Sequence, residues 1–304
     1  MDITSSADDQ MASARPLISV VVIFHDMVRE AERTLLSLSA AYQSVDFPYQ
    51  VMAVDNGSAQ PLSEARVRRF GPQFEHHFFA TSSPSPCAAV NWAVEQATAD
   101  HVAVLVDGAR ILSPGVLNLF AASIMGFDCP FTYTLGFHLG DELQNLSVAK
   151  GYDQVVEDAL LDEAGWEDDG YRLFRIACLA ASSEAGYFGT LQESNCFLVP
   201  CALFTSLGGF NEAFQSPGGG LVNLDFFQRA NRHPATTPIA LLGEGSFHQF
   251  HGGVATNVPM SDHPWARYQA EYQAIYGHPW EKDEGVEAVW LGRLHPLARR
   301  FVLG

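Results

Sequence analysis

Positively charged residues are scarce in this sequence. Its 304 residues include 17 Lys and Arg against 35 Asp and Glu, which gives a formal net charge of −18. Nucleic-acid binding relies on clustered Lys and Arg that neutralise phosphates, so this composition argues against a nucleic-acid partner. A polyanionic ligand would need a local positive group or a divalent cation in this chain.

Long apolar runs and paired cysteines are also absent. No uncharged apolar run reaches the ~18–20 residues of a membrane span, and residues 1–15 contain no apolar stretch of the kind found in signal peptides. We therefore expect no transmembrane segment, while peripheral contact with a membrane stays open. The five cysteines are scattered without Cys-x-x-Cys spacing, which is typical of reduced thiols in a cytoplasmic protein.

What the sequence does contain is an alternation of short apolar segments with helical ones. Three segments are short and mostly apolar, namely 17–24, 49–53 and 102–106. Segments with helical spacing or a proline-initiated start lie between and after them, at 30–42, 61–71, 85–92 and 113–120. This alternation predicts a doubly wound α/β fold with a mostly parallel central sheet and helices on both faces.

From Gly126 onward the alternation is less regular. Strands are predicted at 131–137 and 194–200. The acidic stretch 153–169 is interpreted as a solvated helix face or a mobile insertion, because a run of like charges seldom packs into a core. The aromatic and arginine-bearing tail, 265–304, predicts helices that cover the core.

Polar residues follow two of the predicted strands at the point where each strand ends. Asp55 lies at the end of the second strand, in Val54–Ser58, and Asp107-Gly108 follows the strand 102–106. Neighbouring parallel strands present their carboxyl ends at one edge of a sheet, where open α/β folds bind ligands. We therefore expect Asp55 and Asp107 at one rim, which suits a polar, metal-associated ligand such as a nucleoside diphosphate.

Five segments, taken in order, resemble the inverting family 2 glycosyltransferases, which have the GT-A fold. They are the opening strand at 16–25, Val54–Ser58 for the family's Val-Asp-Asp-Gly-Ser, Asn91 on the third helix, 105–107 for the start of Asp-x-Asp, and 208–212 for Gly-Gly-Phe-Asp-Glu. The resemblance covers residues 16–255. It implies a nucleotide-sugar donor, a glycan or other hydroxyl acceptor, and a divalent cation, Mg²⁺ or Mn²⁺.

The resemblance also implies roles for individual residues. Asp225 is the candidate catalytic base, with Asn223 beside it, and Asp107 and His248 are the candidate metal ligands. Asp55 would hold the nucleobase, and the wider set of nucleotide-sugar-binding candidates is Phe24, His25, Asp55, Asn91, Asp107 and Arg110. This division of labour is chemically coherent, because a leaving diphosphate needs a hard cation and an acceptor hydroxyl needs a carboxylate base.

The sequence departs from the family's pattern at the positions that matter most. Ala109 replaces the second Asp of Asp-x-Asp, and Asn223 occupies the place of the usual catalytic Asp. Arg110 offers a positive charge where Ala109 cannot coordinate a cation. The base therefore stays open between Asp225 and, as an outside candidate, Glu193.

These features divide the chain into four predicted parts. They are a disordered tail at 1–15, a nucleotide-sugar-binding half at 16–125, an acceptor-binding and catalytic half at 126–255, and a helical extension at 256–304. The predicted function is an inverting glycosyltransferase. The alternative is a non-catalytic sugar-nucleotide or glycan-binding relative, which the changes at Ala109 and Asn223 favour. A nucleotidyltransferase is disfavoured because no glycine-rich, basic loop follows the first strand.

Overall fold

The fold is built on one ten-stranded sheet, in a computed structural model that describes residues 15–282 and 284–303. The strands are β1 Ile18–Phe24, β2 Tyr49–Asn56, β3 Phe74–Phe79, β4 His101–Leu105, β5 Arg110–Leu112, β6 Pro130–Leu139, β7 Ala177–Leu179, β8 Cys196–Pro200, β9 Thr237–His248 and β10 Val289–Gly292. The predicted tail at 1–15 lies outside the described residues apart from Arg15, which pairs with Asp100 at 2.6 Å.

Helices flank this sheet. They are α1 Val28–Ser37, α2 Ala40–Gln43, α3 Glu64–Arg68, α4 Cys87–Gln96, α5 Val116–Gly126, α6 Gln144–Ser147, α7 Gln154–Ala164, α8 Cys201–Ser206, α9 Val222–Arg232 and α10 Trp265–Tyr276. The helix predicted at 30–42 is interrupted at Ser39, whose backbone is extended and whose hydroxyl accepts the Tyr42 N–H to start α2. No helix among the described residues has the length and apolar character needed to cross a membrane.

The strand order confirms the predicted doubly wound, mostly parallel sheet. It runs β10-β9-β6-β8-β4-β1-β2-β3, with β5 paired to β9 and β7 paired to β6. Strands β3, β2, β1 and β4 are mutually parallel, and β8 runs antiparallel to both of its neighbours. The chain passes from β1 to β2 on one side of β1, and β4, which follows β3 in the sequence, pairs with the other side of β1. This reversal creates a switch point between β1 and β4, where a crevice opens at the carboxyl ends of the strands.

Apolar residues on both faces of the sheet form the core. Every residue of β1 is buried, because its Ile-Ser-Val-Val-Val-Ile-Phe sequence presents apolar side chains to both layers. One core cluster includes a group of packed aromatic rings, among them Phe131, Phe197 and Phe226. The other cluster packs α1 and α5 against the opposite face. Burial on both faces holds the strand ends, and hence the crevice, in fixed positions.

The long strand β9 has an irregularity that sets the position of its end. The register between β6 and β9 shifts between Tyr133 and Leu135, and Gly243 in β9 has φ of +76°. The adjacent Glu244 carboxylate accepts hydrogen bonds from the Ser113 hydroxyl and, at 3.0 Å, from the Gly115 N–H. Burial raises the pKa of Glu244 to about 6. The register shift between β6 and β9 changes the direction of the last residues of β9, as β-bulges do next to functional sites.

The structure differs from the sequence expectation in the C-terminal half. Residues 237–248, for which the sequence predicted no element, form the long strand β9. The C-terminal segment contains the helix α10 and also the strand β10, which extends the sheet beside β9. Its apolar residues therefore form part of the sheet as well as covering the core.

Candidate active site

A pocket opens at the switch point of the sheet. It has a volume of 990 Å³, which is within the range of small-ligand sites. Its floor is formed by the ends of β1, β2 and β4, with Ile23, Asn56 and Asp107 in its lining. We call this the central pocket; the side chains used below that line it are His25, Asp26, Asn56, Asp107, Arg110, His138, Glu193, His251, Trp265 and Trp280.

Asp107 meets two histidines in this pocket. His248 Nε2 lies 3.0 Å from Asp107 Oδ2, and His251 Nε2 lies 3.8 Å from the same oxygen. Among the described residues these three side chains form a group whose candidate ligand atoms all lie within 4.8 Å of one another. One carboxylate and two imidazoles are a donor set that suits a transition-metal or Mn²⁺ ion.

The hydrogen bonds around His248 direct its Nε2 toward Asp107, and Thr256 Oγ1 lies 3.4 Å from the same nitrogen. Gln144 Nε2 donates to the His248 carbonyl oxygen at 3.1 Å, which directs the Gln144 Oε1 atom toward His248 Nδ1 at 2.7 Å. His248 Nδ1 therefore carries the proton, and the Nε2 lone pair faces the Asp107 carboxylate. Two acceptors at 3.0 Å require a cation between them, either a proton or a metal ion.

Asn257 couples this arrangement to His251. Its Oδ1 accepts the backbone N–H groups of His251, Gly252 and Gly253 at 3.0, 3.0 and 2.9 Å. Its Nδ2 donates to Gln144 Oε1 at 2.8 Å. One amide thus holds the loop that carries His251, and it also supports the amide that orients His248.

The protonation states in the cluster fit a metal site. Burial lowers the pKa of His248 to about 4, although Asp107 opposes this effect, so the imidazole is neutral at pH 7. Burial alone would raise the pKa of Asp107, but His251, His248 and Arg110 hold it well below its usual value. An ionised carboxylate next to a neutral imidazole is the state that binds a metal ion without first losing protons.

Arg110 supplies a fixed positive charge beside the cluster. It starts β5 opposite His248 of β9, and His138 of β6 lies on the other side of His248. The Arg110 side chain is only 5% exposed, and its Nε is 3.8 Å from Asp107 Oδ2. Burial lowers its pKa, yet a guanidinium stays charged at neutral pH. Within the described part of the chain, its Nε and Nη1 atoms have no hydrogen-bond partner.

Glu193 brings a carboxylate to the same pocket. It lies just before β8, and Asn223 Nδ2, from the start of α9, donates to its Oε2 at 3.1 Å. Asn223 therefore contacts the carboxylate of Glu193 and does not line the pocket itself. Asp225, two residues further along α9, is buried in a pair with Arg229 at 2.7 Å. Arg229 also donates to the carbonyls of Leu207 and Gly209, so the pair holds the turn after α8.

The loop after β1 forms the opposite end of the pocket. His25 is half exposed, and its Nδ1 bonds the Asn56 carbonyl at 2.8 Å. Asp26 adopts a positive φ of 52°, and its N–H donates to Ser58 Oγ at 2.8 Å. Asn56 has a buried Oδ1 without a partner among the described residues. The side-chain amide following the strand, rather than the carboxylate of Asp55, therefore faces this end.

Three of the predicted nucleotide-sugar-binding residues lie beneath or away from the pocket. The Asp55 oxygens accept the N–H groups of Ser58 and Leu62, each at 2.9 Å, so the carboxylate holds the loop. Phe24 is fully buried in the core. Asn91 Nδ2 donates to the Phe210 carbonyl at 2.9 Å and its Oδ1 accepts the Phe210 N–H at 2.9 Å, which ties α4 to the glycine turn.

The structure thus brings together only part of the predicted set. His25, Asp107 and Arg110 line the central pocket, and His248 contacts Asp107 from below. Asn56, His138 and His251 were not among the residues predicted for the site. The spacing of three residues between His248 and His251 was the available signal for His251. No sequence signal marks His138, because its role follows from strand register.

The strand order and the position of the pocket define a GT-A-like α/β fold. Among solved structures, the chain is similar to S. aureus TarS, with a TM-score of 0.51 and 15% identity over 87% of this chain and 40% of that chain. It is also similar to S. aureus TarS 1-349 in complex with UDP-GlcNAc, with a TM-score of 0.50 and 13% identity over 87% of this chain and 68% of that chain.

These similarities establish the fold alone, because the identities are low. In a further alignment the chain spans 60% of S. aureus TarS 1-349, so it corresponds to well under the full length of these neighbours. No protein-family model matches the chain, and no curated protein matches its sequence.

Proposed function

We propose that this chain is a glycosyltransferase of the family 2 type that moves a sugar from a nucleoside-diphosphate donor to an acceptor hydroxyl with inversion. One observation carries the proposal. Among the described residues, several buried polar atoms without a hydrogen-bond partner belong to side chains that line the central pocket, namely Asn56 Oδ1, Arg110 Nε and Nη1, and Trp280 Nε1. Such atoms are costly in a folded protein, so their presence beside a candidate metal site supports a polar ligand with several functional groups.

The nucleotide would occupy the end formed by the loop after β1. Asn56 Oδ1 is an acceptor for an N–H group on a nucleobase edge, and His25 and Asp26 flank it. A similar fold was solved with UDP-GlcNAc bound, so UDP is the first nucleotide to test. Glycines at the pocket edge, such as Gly218, have no side chain and therefore let the ligand approach the protein backbone.

The diphosphate would lie near Asp107. We propose that Asp107, His248 and His251 hold a divalent cation, for which the two imidazoles favour Mn²⁺ over Mg²⁺, and that this cation neutralises charge on the leaving diphosphate when bound. Arg110 would add a second positive charge that is already in place, since its guanidinium is buried and keeps unpaired N–H groups. This charge compensates for Ala109, which supplies no ligand atom.

Glu193 is the base that we propose, in place of Asp225. As the acceptor oxygen forms its bond to the anomeric carbon, its proton passes to Glu193, and the bond from that carbon to the diphosphate oxygen breaks on the opposite side. Asn223 would keep the Glu193 carboxylate aimed into the pocket through its 3.1 Å hydrogen bond. The pairing of Asp225 with Arg229 makes it a poorer choice, because its carboxylate is already engaged.

Calorimetric titration with UDP, GDP and dTDP, each with and without Mn²⁺, tests the proposal. We expect one nucleotide to bind tightly in the presence of Mn²⁺, and Asp107→Ala to abolish the metal-dependent part of that binding. Metal-independent binding would contradict the proposed cation site. Failure of all three nucleotides to bind would overturn the nucleotide-sugar function itself.

A non-catalytic binder of sugar nucleotides is the second candidate. Two observations favour it, Ala109 at a usual metal-ligand position and Asn223 at the usual base position. The two candidates separate when the donor nucleotide-sugar is incubated with the protein. An enzyme releases nucleoside diphosphate, at least slowly to water, and this release falls in Glu193→Gln. A binder retains the donor intact in both proteins.

A further inference from the structure

A second cavity lies beside the central pocket. It has a volume of 330 Å³, and we call it the side pocket. Its walls come from the segment 188–192 before β8, from Phe227, Gln228 and Asn231 of α9, and from 284–288 with Trp290 of β10. Gln192 lines both cavities, and the next residue is Glu193. The same short segment therefore separates the side pocket from the proposed base.

The side pocket has two aromatic rings at its rim. Phe188 and Trp290 are 46% and 45% exposed, and their ring centroids lie 5.2 Å apart at an angle of 78°. Val286 is a third exposed apolar residue in the lining. Trp290 lies on the edge strand β10, and Phe188 lies in the segment before β8. Exposing two large aromatic rings to water is unfavourable, so such a pair is more often a contact surface than an incidental feature.

The inner wall carries amide groups. Asn231 Oδ1 is buried and has no hydrogen-bond partner in the described part of the chain. Gln228 and Thr190 add further side-chain donors and acceptors to the lining. An amide provides an acceptor and two donors, which matches hydroxyl groups, since each hydroxyl both donates and accepts. An unpartnered buried acceptor next to exposed rings indicates a ligand with hydroxyl edges and apolar faces.

The acidic residues that line the side pocket disfavour an anionic ligand. Its lining contains Glu284 and Glu287 and no Lys or Arg. An anionic sugar or a phosphate would meet like charge there and find no cation to pair with. A neutral sugar unit fits the aromatic rim, the amides and the charge together.

We propose that the side pocket binds a neutral sugar unit of an oligosaccharide acceptor whose reacting end lies at Glu193. The oligosaccharide would pass over the segment 188–192, which lies between the two pockets. Gln192 would contact the sugar unit in the side pocket and the sugar unit in the central pocket. The link to the acceptor rests on the proposed function, whereas sugar binding in the side pocket does not depend on it. A monosaccharide acceptor would reach only the central pocket and would gain nothing from these residues.

Binding of neutral tetrasaccharides to the full chain tests this inference. The probes are tetrasaccharides of β-1,4-linked glucose, β-1,4-linked N-acetylglucosamine, α-1,4-linked glucose and α-linked mannose. Their binding is measured by saturation-transfer NMR and by calorimetry at millimolar concentrations. We expect at least one to bind, and Trp290→Ala and Asn231→Leu each to weaken it about tenfold. Phe78→Ala is the matched control, because Phe78 is an equally exposed ring on the edge strand β3 at the other end of the sheet.

Several results would overturn the inference. They are no binding of any probe, binding that both variants retain in full, and binding that is lost only when Trp265 of the central pocket is replaced by Ala. Self-association of the wild type that Trp290→Ala abolishes would identify the rim as a protein contact instead. Nucleotide titration of the same samples keeps the two proposals apart. Nucleotide binding without tetrasaccharide binding overturns only this inference. Tetrasaccharide binding without nucleotide binding overturns the nucleotide-sugar function and the link to an acceptor, but not sugar binding in the side pocket.

Discussion

At the scale of single residues, the choice between Glu193 and Asp225 is the sharpest question about the chemistry. We expect Glu193→Gln to lower kcat by about 10²–10⁴-fold with little change in KM, because the amide keeps the contact with Asn223 but accepts no proton. The measurement is steady-state release of nucleoside diphosphate in the presence of acceptor.

Asp225→Asn provides the comparison. Its carboxylate is 4% exposed and pairs with Arg229, so we expect a loss of about 1–3 kcal/mol in the free energy of unfolding and a kcat near that of the wild type. Urea denaturation and kinetics on the same samples give both numbers. A variant pair with the opposite pattern, with kcat lost in Asp225→Asn and kept in Glu193→Gln, would restore Asp225 as the base.

We expect Gln144 to act as a positioning residue for His248, the proposed metal ligand. It fixes the tautomer through a 2.7 Å hydrogen bond to Nδ1 and touches no candidate ligand-binding atom itself. We expect Gln144→Met to weaken Mn²⁺ binding by about 10–100-fold, as measured by calorimetry or electron paramagnetic resonance. Gln60→Met, at an exposed site, is the control. Unchanged Mn²⁺ affinity in a folded Gln144→Met protein would show that the amide does not set the tautomer.

The sequence predicts some site residues and misses others for a physical reason. Asp107 follows from its place after an apolar strand, since the end of a strand fixes where the residue lies. Whether a side chain is available to a ligand depends on its hydrogen-bond partners, which are not marked by the local sequence pattern. Asp55 is engaged by the N–H of Leu62, and Asn56 keeps a free oxygen, yet the two residues are adjacent and equally polar. No local pattern distinguishes them.

At the scale of elements, Glu157 joins α7, α1 and the loop that carries His251. Its side chain is fully buried, accepts the Phe250 N–H at 2.7 Å and lies 3.4 Å from Arg29 of α1. Burial raises the pKa of Glu157 to about 7. The acidic stretch predicted to be a solvated face is therefore partly a packed junction, because one of its carboxylates points inward.

This raised pKa gives a pH-dependent stability with a defined sign. The folded state prefers the protonated carboxyl, so the contribution of Glu157 is fully present below its ordinary value of 4.5 and is lost as pH rises through about 7. We expect Glu157→Gln to remove this loss. Its free energy of unfolding relative to the wild type should rise by up to roughly 3 kcal/mol between pH 4.5 and 8.

Chemical denaturation across this pH range checks the expectation. The buried histidines His138 and His248 have lowered pKa values and contribute the opposite slope, but they do so equally in both proteins and cancel in the difference. Glu163→Gln, an exposed residue on the same helix, is the matched control and should show no such trend. A constant difference between Glu157→Gln and wild type over this range would mean that Glu157 is not protonated at the junction.

Helices and strands were predicted correctly where a local sequence pattern defines them. They were missed where the strand conformation depends on pairing with a distant strand. Strands β1, β2 and β4 were recognisable because each is a short apolar segment between turn residues, whereas β3 was not predicted. The end of β9 and the whole of β10 were not, since Gly243 and Gly245 interrupt one segment and exposed residues dominate the other. Their strand conformation depends on neighbours far away in the sequence, such as β6.

At the scale of the whole molecule, a net charge of −18 has to be reconciled with the anionic ligand that we propose for the central pocket. The pocket offers the buried guanidinium of Arg110 and, beside it, the candidate cation site of Asp107 and two histidines. The sequence alone reveals the excess of acid and hence the need for a cation. It does not reveal that the two histidines meet Asp107, because that contact requires the register of β9 against β5 and β6.

A cation bound only by the folded state should stabilise the entire chain. Binding at about 100 times the dissociation constant adds about 2.7 kcal/mol to the free energy of unfolding. For a protein of this size we expect Mn²⁺ to raise Tm by about 4 °C, and EDTA to reverse the increase.

The histidines make this thermal shift specific. His251→Ala removes one of the three candidate ligands, so it should abolish most of the Mn²⁺-induced rise in Tm while leaving the Tm in EDTA nearly unchanged, since His251 lies on a loop and its backbone is held by Asn257. His278→Ala, an exposed histidine outside the cluster, should keep the full rise. Differential scanning calorimetry on the three proteins measures both quantities. A rise in Tm that survives in His251→Ala, or that disappears in His278→Ala, would place the stabilising cation elsewhere on this acidic surface.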